Sequence, residues 1–213
     1  ITRILQMKIT CIPTGYLGTN TYLVTGKHQD KDYAFLVDPA GNTATLKSIL
    51  PSELDGIILT HGHFDHVAYL PYFSNHYPKA KIYIHPKDDL YVGEKAWHFH
   101  GEDFLVIGLL PWVENIEAQG FPFPKDYIPL ENDAEIFGWK VIHTPGHTPG
   151  SICLYNEAEK VLISGDTLFD GGFGRTDLRG GSMRELEKSL EKLEQLPSGI
   201  CVYPGHGGSF IKQ

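Results

Sequence analysis

Candidate metal ligands follow strand-like stretches at four places in this sequence. The densest group is the HGHFDH segment at residues 61–66, directly after the apolar run at residues 56–60. Imidazole and carboxylate groups suit zinc, iron or manganese, and Gly62 permits a tight turn. Burying so many polar groups uncompensated would be costly, which favours a metal site. The candidate ligands are His61, His63, Asp65, His66, His147, Asp166 and His206.

The outlying candidates have structural alternatives. Taken alone, His147 and His206 are typical turn or core histidines, and Asp166 could cap a helix. Asp65 could also cap a helix that begins near Val67. However, each outlying candidate repeats the strand-to-ligand pattern, and sites in layered α/β folds gather beyond the carboxyl ends of strands. We therefore expect five histidines and two aspartates around one cleft.

The other histidines fit structural positions better. His143, next to a turn, is expected to pack beside the ligands or support them. His85 fits a core or surface position. We expect His98 and His100 on a surface loop, and His28 and His76 facing solvent.

Strand-like and helix-like stretches alternate, which predicts an α/β class. We expect one domain over residues 1–213, folded as a four-layered αβ/βα sandwich. Helices are predicted after an N-cap at Asn42, over residues 68–76 and over residues 182–196. In the last of these, Ser182 and Glu185 are expected to form a capping box. Its apolar face would consist of Met183, Leu186, Leu190 and Leu193. We expect residues 86–129 to form short helices and loops, and to provide one wall of a pocket. Strands are predicted at residues 7–12, 21–24, 34–37, 56–60, 81–85, 135–137, 140–144, 151–155, 160–164 and 200–203.

Composition narrows the partners. The chain has 213 residues and a formal net charge of −8, which argues against nucleic acid or an anionic membrane as the main partner. No apolar run approaches the ~20 residues needed to span a bilayer, and no leader is visible. The cysteines Cys11, Cys153 and Cys201 lie in strand-like stretches and are expected to be buried, reduced thiols. These features favour a cytoplasmic protein with a small-molecule substrate, and they leave the oligomeric state open.

The motifs THGHFDH, TPGHTPGS, ISGDTLF and YPGHG, in that order, resemble those of the metallo-β-lactamase fold superfamily. The similarity is greatest to its single-domain glyoxalase II-like (hydroxyacylglutathione hydrolase-like) branch. It covers nearly the whole chain and is vague between residues 86 and 129. The resemblance implies an αβ/βα sandwich with the site at the edge between two sheets. The chain ends seven residues after His206, so we expect no C-terminal glutathione-binding extension.

The resemblance also implies roles for the ligands. The first metal would be held by His61, His63 and His147, the second by Asp65, His66 and His206, and Asp166 would bridge the two. Class B β-lactamases often carry Cys at the position of Asp166 and commonly lack a histidine at that of His66, so lactam hydrolysis is not expected. Arg175 resembles a position that contacts the tail of a thiol substrate. An internal ion pair between Arg175 and Asp177 fits the sequence equally well.

Two functions follow from this resemblance. The first is hydrolysis of S-acyl-glutathione-like thioesters by a hydroxide that bridges two divalent metal ions, with Asp65 orienting the hydroxide. Zinc is the metal that we expect first, and iron and manganese are the alternatives. The alternative is a persulfide dioxygenase with one iron, held by a facial triad of His61, His147 and Asp166. A binding module without catalysis is disfavoured, because all seven ligands are present.

Overall fold

A computed structural model of the protein describes residues 7–213. Within them, the first sheet contains six strands in chain order. Its first three strands are antiparallel, and the strands from the third onward run parallel to one another. These strands are β1 Lys8–Thr14, β2 Thr19–His28, β3 Lys31–Val37, β4 Gly56–Ile58, β5 Lys81–Ile84 and β6 Ile128–Pro129.

The second sheet also has six strands, ordered β12-β11-β10-β9-β8-β7. Only the β10–β11 pair is parallel within it. The strands are β7 Glu135–Ile136, β8 Trp139–His143, β9 Ile152–Asn156, β10 Val161–Gly165, β11 Cys201–Pro204 and β12 Phe210–Ile211.

Helices cover the outer faces of the two sheets. A 3₁₀-helix spans Pro86–Tyr91, and the short helices expected between residues 86 and 129 are present. The α-helices are α1 Ala44–Ile49, α2 Phe64–Val67, α3 Leu70–His76, α4 Ala96–Val106, α5 Leu110–Glu117 and α6 Met183–Glu194.

The burial of β3 explains the layering. Phe35 and Val37 lie in the core between the sheets, whereas Leu36 packs into the core beneath the helices of the first sheet. Successive side chains of a strand point to opposite faces, so a strand covered on both sides is apolar throughout. A third core joins Leu162 of the second sheet to Leu193 of α6. The predicted α/β sandwich is therefore confirmed.

Several local predictions were wrong. The side chain that caps α1 belongs to Thr43, which accepts a hydrogen bond from the amide of Leu46, and not to Asn42. The helix expected from residue 68 is preceded by α2, which begins at Phe64 after a cap position at His63. Asp65 therefore lies inside the first turn of this helix and does not cap it. The strands near the N-terminus also run further than their apolar runs indicated.

The capping of α6 is confirmed in part. The Ser182 hydroxyl accepts the amide hydrogen of Glu185 at 3.3 Å, but the Glu185 carboxylate pairs with Lys188 at 2.8 Å instead of completing the box. Met183 is exposed, whereas Ser189 is buried and donates to the carbonyl of Pro145. The amphipathic face is thus rotated toward the turn before His147.

The cysteines were expected to be buried, and only one of them is. Cys153 is buried, Cys201 is half-buried and Cys11 is exposed; all three are free thiols. Cys11 lies on β1, the edge strand of its sheet, which pairs with β2 on one side only.

Candidate metal centre

The seven predicted ligands come together where the loops after β4, β8, β10 and β11 meet. Six of them are buried, and His206 keeps 29% of its side chain exposed. The backbone ties these loops to one another: the amide of Gly205 donates to the carbonyl of Gly165 at 2.8 Å, and the amide of Ile152 donates to that of Thr60 at 2.8 Å. The site therefore draws on both sheets, at the edge between them.

One group of ligand atoms comprises His61, His63 and His147. Their ring nitrogens all lie within 4.8 Å of one another. Nδ1 of His63 is 2.8 Å from Nε2 of His147, which in turn is 3.2 Å from Nε2 of His61. Three imidazole nitrogens therefore converge on one point.

A second group comprises Asp65, His66 and His206, also within 4.8 Å of one another. Nε2 of His206 lies 3.2 Å from Oδ2 of Asp65 and 3.3 Å from Nε2 of His66. Thr19 adds a hydroxyl donor, 3.3 Å from Oδ2 of Asp65.

Asp166 lies between the two groups. Its Oδ1 is 3.2 Å from Nε2 of His66, and its Oδ2 is 3.6 Å from Nε2 of His147 and 3.5 Å from Nε2 of His206. Oδ1 of Asp166 is buried without a hydrogen-bond partner. A carboxylate in this position can serve both groups at once.

The outward-facing ring nitrogens of His147, His66 and His61 have partners that set the tautomers, whereas Nε2 of His63 is buried without a hydrogen-bond partner. Nδ1 of His147 donates to the carbonyl of Arg175 at 2.7 Å, and Nδ1 of His66 donates to Oδ2 of Asp38 at 2.8 Å. Nδ1 of His61 is 3.1 Å from Oγ1 of Thr60, whose own hydrogen goes to Asp38. With these hydrogens turned outward, the inward nitrogens of His61 and His147 can present lone pairs to a cation, as metal-ligating histidines do.

The electrostatics of the site also fit a cation. Burial and the neighbouring histidines lower the pKa of His61 well below its usual value, and burial with His147 lowers that of His63 to about 3. Burial also lowers the pKa of His147, against the effect of Asp166. These rings are therefore neutral at physiological pH, and a neutral imidazole can donate a lone pair to a cation. The donor set, five imidazoles and two carboxylates, suits divalent transition metals.

The carboxylates stay ionised. Burial acts to raise the pKa of Asp65 and of Asp166, but the histidines around them, His66 foremost, hold both below the usual value. Burial alone would lower the pKa of His66, but Asp166, Asp65 and Asp38 raise it well above its usual value. Three carboxylates thus surround His66 with negative charge, which a bound cation would offset.

Asp38 was missed in the sequence. It directly follows β3, is buried, and accepts hydrogen bonds from the amide and the hydroxyl of Thr60 at 2.8 and 2.6 Å. With His66 it also lies within 4.8 Å of His61, but these donors already occupy both of its oxygens. The strand-to-ligand pattern that identified Asp166 applies equally to the stretch ending in Val37 and could have identified Asp38.

Asp88 was missed as well. This fully buried carboxylate accepts from the amide of Gly62 at 2.9 Å, from the hydroxyl of Thr148 at 2.7 Å and from the amide of Gly150 at 2.7 Å. It thereby joins the HGHFDH turn to the turn that carries His147. No pattern in the sequence distinguishes Asp88 from its neighbour Asp89, because its partners are distant along the chain.

Two other histidines differ from prediction. His100 lies inside α4, is fully buried, and its Nε2 is 3.0 Å from the carbonyl of Tyr91, so its assignment to a surface loop was wrong. His98 is exposed as expected, but it lies on the helix and pairs with Glu102. His143 stacks on His85 with ring centroids 4.0 Å apart, which confirms its packing role.

A cleft of about 260 Å³ opens beside the ligands, with Arg175 among its lining residues. The guanidinium of Arg175 forms two hydrogen bonds with Asp177, at 2.6 and 2.8 Å. The internal ion pair anticipated from the sequence is therefore present. The predicted pocket wall from residues 86–129 is contributed by Phe104 of α4 and by Ile107.

The comparisons with known proteins agree with this geometry. A family model described as the metallo-beta-lactamase superfamily matches residues 14–206. The protein belongs to this superfamily. An uncharacterised relative from Aquifex aeolicus is 35% identical over 203 residues, which cover 94% of this chain and 90% of the relative. Hydroxyacylglutathione hydrolase GloC of Haemophilus influenzae is 31% identical, over 94% of this chain and 91% of that protein.

Solved structures of the superfamily share the fold. TTHA1623 in a di-iron-bound form is 31% identical with a TM-score of 0.73, over 95% of this chain and 94% of that one. The B3 metallo-beta-lactamase BLEG-1 is also 31% identical, with a TM-score of 0.76, over 96% of this chain and 94% of that one. Among residues 7–213, no helix is both long and apolar enough to cross a bilayer.

Proposed function

We propose that the protein is a metal-dependent thioester hydrolase that acts on S-acyl-glutathione-like substrates. The observation that carries the proposal is the complete set of seven ligand side chains, with Asp166 within 3.6 Å of histidines from both groups. The similarity to GloC, a hydroxyacylglutathione hydrolase, supports the same substrate class.

The ligand groups define the roles of the residues in this proposal. One divalent ion is assigned to His61, His63 and His147, a second to Asp65, His66 and His206, and Asp166 is assigned to both. Such a pair, when bound, supplies a hydroxide near neutral pH and Lewis acidity toward a carbonyl oxygen. Zinc is our first choice, although iron and manganese suit the same donors.

The remaining steps belong to the side chains. The ionised carboxylate of Asp65 lines the cleft, where it can accept a hydrogen bond from the attacking hydroxide and orient it. Phe104 and Ile107 shield one side of the cleft from bulk water. Arg175, beside the same cleft, is the proposed contact to the substrate, through the N–H groups that Asp177 leaves free.

Metal analysis followed by a thioester assay tests the proposal. We expect two metal ions per chain and release of acid and free thiol from S-lactoylglutathione. Activity should be lost in His63→Ala or with a chelator, and kept in the control His98→Ala, which removes an exposed histidine. A fully metallated protein that cleaves no thioester would refute the proposal.

The same sample separates two other activities. One iron per chain with oxygen uptake on a persulfide would indicate the mononuclear dioxygenase with His61, His147 and Asp166 as ligands. Because BLEG-1 is a B3 metallo-beta-lactamase, a β-lactam belongs in the panel. Faster cleavage of the lactam than of any thioester would replace the proposed substrate class.

A further inference from the structure

The cleft beside the ligands has apolar walls. Beyond the ligand side chains, its lining comes from the β1–β2 turn, from α4 and its C-terminal end, and from the loop after β10. The apolar side chains that line it are Leu17, Phe104, Ile107, Phe169 and Leu178. Such walls offer a substrate no hydrogen-bond partners, so a polar group that enters loses its hydration without replacement, whereas an apolar group gains from the transfer.

The side chains that form the walls of the cleft offer little free positive charge to a thiol carrier. Among the described residues, Arg175 is the only lysine or arginine that lines it. Asp177 holds this guanidinium in a two-bond ion pair. Arg179, on the same loop, is likewise engaged by Asp103 and Glu102, each at 2.7 Å. A peptidic thiol carrier with carboxylates therefore meets one guanidinium in these walls, whose charge Asp177 already offsets and which keeps only its remaining N–H groups for a contact.

The size of the cleft limits what it encloses. Its volume of about 260 Å³ lies below the ~300–1,000 Å³ of pockets that enclose whole drug-sized ligands. Only one end of a thioester fits inside. An apolar acyl chain suits these walls, whereas the amides and carboxylates of a peptide carrier are better solvated outside.

The walls are held in a fixed arrangement. Nε of Arg179 donates to Oδ1 of Asp103, and the hydroxyl of Tyr91 donates to the other oxygen of the same carboxylate at 2.7 Å. Asp103 precedes Phe104 on α4, and Arg179 follows Leu178 on the opposite wall. This link joins the two walls before substrate arrives, so little ordering is needed on binding.

From these features we infer that the enzyme selects its substrate by an apolar acyl group, and that the thiol carrier stays in solvent with little recognition. The inference rests on the proposed thioester hydrolysis and specifies its substrate class. Propanoyl and butanoyl through hexanoyl thioesters should be preferred to the hydroxylated lactoyl thioester.

The first experiment compares substrates with the metal-loaded, full-length protein. S-propanoylglutathione and S-lactoylglutathione differ by one hydroxyl group, and the propanoyl ester should have at least a threefold higher kcat/KM. Each added methylene up to hexanoyl should raise kcat/KM about fourfold, the ratio that corresponds to about 0.8 kcal/mol. Hexanoyl esters of glutathione, coenzyme A and N-acetylcysteamine should differ by less than threefold.

The second experiment changes one wall. Ile107→Asn should lower kcat/KM for the hexanoyl ester at least tenfold more than it lowers kcat/KM for the lactoyl ester. Ile107→Ala should give a smaller loss in the same direction. Val106→Asn, at an adjacent position that is 78% exposed, is the matched control and should change neither substrate.

The outcomes separate the two proposals. Two results would overturn the acyl selectivity while leaving thioester hydrolysis in place. One is faster cleavage of the lactoyl ester than of the propanoyl ester, and the other is faster cleavage of esters whose carrier has carboxylates than of esters whose carrier has none. A metal-loaded protein inert to every thioester overturns the proposed function, and the selectivity with it.

Discussion

Asp38 provides a sharp test of how the second group of ligands is oriented. Its carboxylate accepts three hydrogens. The Thr60 hydroxyl, at 2.6 Å, can rotate away, whereas Nδ1 of His66 and the amide of Thr60, each at 2.8 Å, cannot. In Asp38→Asn one oxygen becomes an NH₂ group, so only one of these donors can keep an acceptor. Either the amide of Thr60 loses its partner, or His66 moves its hydrogen to the nitrogen that faces the metal.

The magnitude follows from that single lost acceptor. A buried donor without a partner costs about 1–3 kcal/mol, which corresponds to roughly 5- to 150-fold in an equilibrium constant. Partners that orient metal ligands typically contribute ~10–100-fold in metal affinity. We therefore expect Asp38→Asn to weaken binding at the Asp65–His66–His206 group by about 10–100-fold, with the loss at the His61–His63–His147 group the smaller of the two.

Competition of the protein with a chromogenic chelator measures both affinities. Asp55→Asn is the matched control, because Asp55 also accepts a backbone amide hydrogen, from Ala34 at 2.8 Å, but lies on an exposed loop outside the site. If Asp38→Asn bound two metal ions as tightly as the wild type, the assignment of His66 as an oriented ligand would be refuted.

Two further predictions concern the turns that carry the ligands. Burial raises the pKa of Asp88 to about 6 from its ordinary 3.8, so the folded state gains stability from protonated Asp88 in full below about pH 4 and loses it, by ~3 kcal/mol, as the pH rises through 6. In urea unfolding, the free energy of unfolding should therefore fall less steeply with pH for Asp88→Asn than for the wild type, and equal slopes would contradict this. A Cβ at Gly62 would lie 2.0 Å from Cδ2 of Tyr91, so Gly62→Ala should displace the turn and lower the metal content at least tenfold. The control Gly101→Ala, whose Cβ meets Leu110 at 3.6 Å, should keep its metal, and equal metal content in both variants would show that Tyr91 does not constrain the turn.

The sequence was enough to predict which residues are metal ligands, because each of them closely follows an apolar run. His61 follows within three residues of the end of β4, His63 follows within five, and Asp166 comes directly after β10. A rigid buried strand fixes where the next few residues begin, so short-range spacing carries the information. Asp38 obeys the same pattern after β3 and was overlooked because a single aspartate before a proline also reads as a simple turn.

The boundaries of the helices were harder to predict. Thr43 caps α1 in preference to Asn42 because its hydroxyl reaches the amide of Leu46, a choice that depends on backbone angles that differ between adjacent residues. His100 was placed in a loop because α4 has a mixed, weakly periodic sequence. Tertiary packing against Tyr91 and Phe64 buries the ring and overrides local propensity.

The sequence by itself determined which side chains are available for metal chemistry and that strands end just before them, because both properties are local. Only the tertiary structure decided how they pair: His63 meets His147 across 84 positions, and His66 meets His206 across 140. The apolar cleft likewise joins Leu17 to Phe104 and Phe169. Contacts over such separations depend on how the two sheets pack face to face, and spacing along the chain does not encode that arrangement.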